Sequence, residues 1–238
     1  MASTKTAIIT GAQQGIGAGL VEGFLKDGYR VVATSLLASE SLRSTANLMV
    51  VDGDIRDQET AAKSVEAAVT HFGTIDVLVN NAGIYITKAF TEFTVDDFNA
   101  LVSVNLLGFF RMTQAAVRQM LKQQSGCVIT ISAALADNPI TGINGSVSMI
   151  TKGGLNTVTR HLAMEYAKQG IRFNAVAPGV VDTPLHRESP KEQLRTLQPM
   201  GSIAEITDIV EAVLYLARAR QVTGEILHVD GGAHTGRW

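Results

Sequence analysis

The chain has 238 residues, 46% of them hydrophobic and 18% charged, and a formal net charge of -2. That size and apolar content are enough for one domain with a sizeable core and exclude a disordered or fibrous chain. Lysines and arginines are scattered, so nucleic acid and anionic lipid find no basic face, and a small molecule is the expected partner. Residues 1–6 lack the charged-then-apolar layout of a signal peptide, and no apolar run approaches the roughly 20 residues of a membrane span, so a cytoplasmic protein with no membrane partner is expected.

In chain order, β-branched runs alternate with amphipathic segments. Residues 6–10 read as a first strand and 16–26 as the helix behind it, followed by strands at 30–34 and 47–51 and a helix at 58–72. A strand at 76–79 leads to a long helix at 95–122, and one at 126–131 to a helix at 146–168. Strands at 172–177 and 225–229 flank a last helix at 204–219. Ser202 with Glu205 three residues on predicts a capping box for that helix.

Seven strands separated by helices imply a Rossmann-type, doubly wound parallel sheet in a single α/β domain. Parallel neighbours are joined only through crossovers, and the helices then cover both faces. Residues 183–199 carry Pro184, Pro190 and Pro199 among charges and read as a mobile flap of short helix and loop. The lone Cys127 lies in an apolar strand, which excludes an internal disulfide and reads as core packing. No cluster with metal-ligand spacing is singled out.

The first strand runs straight into Gly11, Ala12, Gln13, Gln14, Gly15, Ile16 and Gly17 and then into a helix. Glycines in such a turn let backbone N–H groups approach a pyrophosphate, and the helix N-terminus favours its negative charge. A glycine turn that merely ends a strand is the plainer alternative.

The spacing G-x-x-x-G-x-G at residues 11–17 resembles the cofactor turn of the short-chain dehydrogenase/reductase family. Further likenesses follow in order: Asn80, Asn81, Ala82 and Gly83 after the fourth strand, Asn105 in the long helix, Lys152, the run Asn174 to Gly179, and Asp230, Gly231 and Gly232 near the C-terminus. The motifs span nearly the whole chain and lie near members of the 3-oxoacyl-acyl-carrier-protein reductase and glucose dehydrogenase kind. The resemblance implies a nicotinamide dinucleotide held by Gly11, Gln13, Gln14, Gly15, Ile16 and Gly17, by Ser35, by Asp54 and Ile55 at the adenine, and by Asn81, Ala82 and Gly83. It further implies contacts from Lys152 to the ribose and from Pro178, Gly179, Val181 and Thr183. A homotetramer is also implied, with the helices 95–122 and 146–168 pairing across two-fold axes and residues 222–238 forming another contact.

The second strand ends in Thr34, Ser35, Leu36 and Leu37, with no acid before Glu40 to receive the ribose hydroxyls of NAD. NADP is therefore expected, with Ser35 and Arg43 near its 2′-phosphate and NAD as the alternative. For Asp54 a helix-capping role stands beside the adenine role.

At the catalytic centre the chain departs from the family. The resemblance implies a tyrosine four residues before Lys152, one helical turn away, where the ammonium lowers the phenol's pKa. That position is Ser148, and no tyrosine lies between Tyr85 and Tyr166. The family's serine falls on Ala133, leaving Ser132 one residue early. Asn105, Ser132, Ser148 and Lys152 are the candidate catalytic residues, and Tyr85 and His186 are candidate substitutes for the proton donor, with a pocket wall and a solvated flap as their plainer roles.

Three functions stay open. One is an oxidoreductase acting on a hydroxyl or carbonyl with a non-standard proton donor. Another is a dinucleotide-binding sensor or partner subunit without turnover. The third is hydride transfer to an iminium or activated alkene, which needs little proton donation. If the pocket is otherwise unchanged, a tyrosine restored at 148 is expected to raise carbonyl reduction.

Overall fold

In the computed structural model, residues 4–236 are described. Residues 1–3 of the N-terminal stretch read above, and residues 237 and 238 of the expected C-terminal contact, lie outside them.

Seven parallel strands form one sheet in the order β3-β2-β1-β4-β5-β6-β7. They are β1 Thr6–Thr10, β2 Arg30–Ser35, β3 Leu48–Asp52, β4 Val77–Asn80, β5 Gly126–Ile131, β6 Ile171–Pro178 and β7 Ile226–Val229. The order reverses at β1, so β1 pairs with both β2 and β4, Ile8 lying opposite Val32 on one side and Leu78 on the other. Such a switch point opens a crevice at the carboxyl ends of the strands.

Every residue of β1, β4 and β5 is buried, as their unbroken apolar runs require when helices cover both faces. On one face lie α1 (Gly15–Lys26) and α8 (Ile206–Arg218), packing Leu20, Phe24, Ile209 and Val213 onto Ile9, Val31 and Ile129. The two helices approach closely because α1 carries glycines: a Cβ at Gly19 would stand 2.3 Å from Ile206 Cγ2, and one at Gly23 2.3 Å from Val210 Cγ1. On the other face, α3 (Gln58–Phe72), α5 (Phe109–Gln123) and α6 (Ser146–Tyr166) bury Ala61, Met112, Met120 and Ala163 against Ile8, Val128 and Phe173.

Three sequence expectations are corrected. The long helix is not uniform: α4 (Val95–Leu101) runs into a π-helical segment, Val102–Gly108, before α5. Taken together, Val95–Gln123 is long and apolar enough to cross a membrane by length and composition, against the expectation that nothing approaches that length. Counting uninterrupted apolar residues missed it; Leu101, Met112, Ala116 and Met120 of this helix are buried in the domain's core. The last helix begins at Ile206, and Glu205 is its N-cap, with the Glu205 N–H donating to the Asp208 carboxylate at 2.8 Å. Ser202 takes no part in a capping box because Ala204 is drawn into a bridge with Val181. The segment 183–199 holds the expected short helices, a 3₁₀ turn at Pro184–His186 and α7 at Lys191–Arg195.

Candidate active site

The β1–α1 turn is set by backbone geometry. Gly11 and Gly15 have φ of 65° and 55°, a left-handed conformation that glycine adopts at no steric cost. A Cβ at Gly17 would lie 1.9 Å from the Gly11 carbonyl oxygen, and one at Gly11 would lie 2.8 Å from Ala82 Cα. Asn81 ties the turn to β4: its Nδ2 donates to the carbonyls of Thr10 and Gly11 at 2.9 and 3.2 Å. The Thr10 hydroxyl in turn receives the N–H groups of Asn81 and Ala82, both at 3.0 Å.

Gln14, the N-cap of α1, supplies no side-chain cap, so the first N–H groups of the helix, from Gly15 onward, face the turn with no acceptor of their own. A diphosphate fits this turn, since the close packing of Gly11 and Gly17 on Asn81, Ala82 and each other leaves the N–H groups at the start of α1 free to receive its charge. Across the turn, Thr183 Cβ and Pro184 Cδ lie 3.7 and 3.8 Å from where a Gly15 Cβ would be. The start of the flap thus rests on the phosphate turn. Gly179 follows β6 at the same edge, while Val181 is buried in the core and bridges to Ala204.

At the adenosine end the side chains are engaged with each other. Asp54 accepts from the Arg56 backbone N–H at 2.8 Å and from its guanidinium at 2.6 Å, and the Arg56 hydrogen bonds hold its carboxyl below the usual range. Ile55 packs under Gly108, where a Cβ would meet Ile55 Cδ1 at 2.3 Å. Ser35 pairs in register with Asp52, whose carboxylate accepts the backbone N–H and the hydroxyl of Ser39. Arg43 donates to the Ser39 and Leu42 carbonyls at the end of the short helix Ala38–Ser41.

Of the catalytic candidates, Asn105 and Lys152 meet at Gly83. A Cβ at Gly83 would lie 3.1 Å from Asn105 Oδ1 and 3.4 Å from Lys152 Nζ. Asn105 sits mid-way along the π segment, where its amide bridges the Ile84 backbone: Oδ1 accepts from Ile84 N at 2.8 Å and Nδ2 donates to Ile84 O at 3.0 Å. Lys152 Nζ donates to the Ile131 carbonyl at 2.9 Å, and burial, with no carboxylate opposing it, pushes its pKa down to about 8.

Ser148 is wholly buried, at 0% exposure. Its Oγ donates to Ile86 O at 2.8 Å and accepts from Ile86 N at 3.0 Å. Both hydrogen-bonding capacities of the hydroxyl are spent on one backbone residue. Ser132 turns to the next strand, its Oγ donating to Val176 O at 3.3 Å, as alternation along the strand end requires when Ala133 faces the other way. His186 is half-buried on the flap, and burial lowers its pKa.

Spacing along the chain gave no sign of two side-chain pairings. Tyr85 lies with its phenol over Gly145, where a Cβ would be 2.7 Å from Oη. In β7, His228 bonds Asp137 at 3.0 Å and stacks on His234 at 3.9 Å between ring centroids, and His234 bonds Asp230 at 2.9 Å. Both join residues from separate elements, so only the fold brings them together.

A glycine-built turn leading into an open helix N-terminus, at the switch point of a parallel sheet, defines a Rossmann-type dinucleotide-binding protein. The family model described as Enoyl-(Acyl carrier protein) reductase matches residues 11–234. The chain belongs to the short-chain dehydrogenase/reductase family. It is 31% identical to the 3-oxoacyl-(acyl-carrier-protein) reductase of Staphylococcus aureus, over 98% of this chain and 100% of that one. Among solved structures it is similar to ElxO with NADP bound (29% identity, TM-score 0.91, 98% of this chain and 100% of that one). It is also similar to the 3-ketoacyl-(acyl-carrier-protein) reductase of Brucella melitensis complexed with NADH (30% identity, TM-score 0.90, the same coverages).

Proposed function

We propose that this chain is an NAD(P)-dependent oxidoreductase that works between a nicotinamide dinucleotide and a hydroxyl or carbonyl group of a small molecule, with a proton donor other than residue 148. The observation that carries the reading is the close-packed glycine turn opening on the N-terminus of α1, with Lys152 Nζ held by Ile131 O next to Gly83 at the same end of the sheet. When bound, the dinucleotide supplies or takes up hydride. The chain's own part is to seat the diphosphate on the N–H groups of residues 13–17, to hold the ribose with Lys152, and to close the flap over the turn. Relatives named reductases make a carbonyl compound the first substrate class to try.

NADP is the proposed cofactor, because residues 34–37 present no acid to a ribose hydroxyl and one neighbour holds NADP. The NADH in another keeps NAD as the alternative. We place the protein in the cytosol, with a small molecule rather than nucleic acid or a membrane as its ligand. A homotetramer is proposed from the exposed Phe98 and Phe110 on the long helix and Ile150 and Met164 on α6.

Calorimetric titration with NADPH and NADH, followed by an assay of hydride transfer over a panel of carbonyls and imines, tests the reading. Binding with turnover supports it, and no binding of either dinucleotide refutes it. Binding without turnover favours a second reading, a dinucleotide-binding sensor or partner subunit. The observation behind that reading is that Ser148 is bonded away under Ile86 while Ala133 offers no hydroxyl.

A further inference from the structure

Resting on the oxidoreductase reading, we propose that Tyr85 is the proton donor of this site: its phenol takes the place of the one that the helix lacks, and Ser148 is the positioning residue that holds it there. A side chain on a helix leans over the turn preceding its own Cα, so a tyrosine at 148 would cover the patch around residues 144 and 145. That patch is occupied. The Tyr85 ring lies on Gly145, with Oη 2.7 Å and Cε2 3.2 Å from the position a Cβ there would take.

The approach is built in. Gly145 has no side chain to obstruct the ring, and the loop bearing Tyr85 is laced along the start of α6. Ile86 is bonded through both backbone groups to Ser148 Oγ, Thr87 Oγ1 donates to Asn144 O at 3.1 Å, and Lys88 N donates to Asn144 O at 2.9 Å. Two residues back, Gly83 touches the space between Asn105 and Lys152. One short loop therefore leads from the lysine to the phenol.

The chemistry balances. In reduction the Tyr85 O–H bond breaks as an O–H bond forms on the substrate oxygen, the carbonyl carbon having received hydride from the reduced dinucleotide. The phenolate then regains a proton from water at the exposed Thr87 hydroxyl. Between these events the anion sits beside the N-cap residue of α6, the positive end of a helix dipole. Burial raises the phenol's pKa and the neighbouring Thr87 hydroxyl opposes the rise, so at neutral pH the group stands protonated and ready to donate.

The test reads the phenol directly. Ultraviolet titration of the whole protein against Tyr85→Phe isolates one of the chain's 4 tyrosines. With saturating oxidised dinucleotide, the difference signal is expected to move down by about one to three pH units, because the positive nicotinamide ring favours the phenolate. Dinucleotide binding with an unmoved Tyr85 midpoint overturns the proposal and leaves the oxidoreductase reading standing, whereas no binding of either dinucleotide overturns both. In turnover of a small activated ketone, Tyr85→Phe is expected to lower kcat by about 10²- to 10⁴-fold with the dinucleotide KM unchanged. Gly145→Ala, which pushes a methyl against the phenol, is expected to lower kcat less. A Tyr85→Phe variant with full kcat overturns the proposal.

Discussion

At the dinucleotide turn the fit is made of backbone: Gly11 and Gly17 leave no room for a side chain, Gly15 takes a positive φ, and Asn81 binds the carbonyls of Thr10 and Gly11. A turn's length away, around residues 131–152, the site is made of side chains. There the sequence resemblance aligns Ala133 and Ser148 with the family's expected serine and tyrosine, and the loop at Ile86 is bonded to the helix through Ser148 Oγ. The difference shows which part of a site can be rewritten. A cradle of close backbone contacts fails with one added carbon, whereas a proton donor is a single functional group that another element can present.

The sharpest way to break the comparison is Gly17→Ala. Its methyl would lie 1.9 Å from the Gly11 oxygen, so dinucleotide binding should vanish in calorimetry and urea midpoints should report a loss of about 1–3 kcal/mol. A Gly17→Ala protein that binds normally would show the cradle to be as tolerant as the catalytic half.

Ser148→Tyr comes next. A ring does not fit where Ser148 is wholly buried with Ile86 bonded to its Oγ, so the earlier expectation that it raises carbonyl reduction is reversed. Stability should fall by about 1–3 kcal/mol and turnover should drop as the 84–88 loop is displaced. Faster ketone reduction by this variant would restore the simpler picture of an otherwise unchanged pocket.

Lys152→Met tests the electrostatics where the two halves meet. The buried ammonium's pKa is pushed down to about 8, so folding disfavours its charged form, and the unfolded chain binds more protons between about pH 8 and 10.5. The native chain should therefore gain stability relative to Lys152→Met as pH rises through that window, read from paired urea melts. A constant difference would place the ammonium in water. The smallest effect is expected of Ser132→Ala: its Oγ spends a 3.3 Å hydrogen bond on Val176 O, so turnover should hold and stability should change by no more than about 1 kcal/mol. A large fall in kcat would return Ser132 to the chemistry.

The strands and the dinucleotide turn were legible in the sequence because each follows a local rule: unbroken apolar runs for doubly covered strands, and glycines at fixed offsets for a tight turn. The Lys152 position was legible for the same reason, one helical turn from 148. Illegible were contacts whose partners lie far apart in the chain. Tyr85 on Gly145 joins residues 60 apart, and the bonds between Ser148 and Ile86 join residues 62 apart. The start of α8 was misplaced because Ala204 answers to Val181 rather than to its own neighbours.

The wide winding at Val102–Gly108 ties this site to a count of residues. One residue fewer there would restore ordinary helix and turn everything on one side by about 100° relative to the other. Asn105 would leave Ile84, and the exposed Phe98 would turn relative to the exposed Phe110. The inner contact that steadies the Tyr85 loop and the apolar outer face of the same helix are thus fixed by one length of chain. Substitutions can alter either surface separately, but an insertion or deletion in this stretch would have to alter both at once.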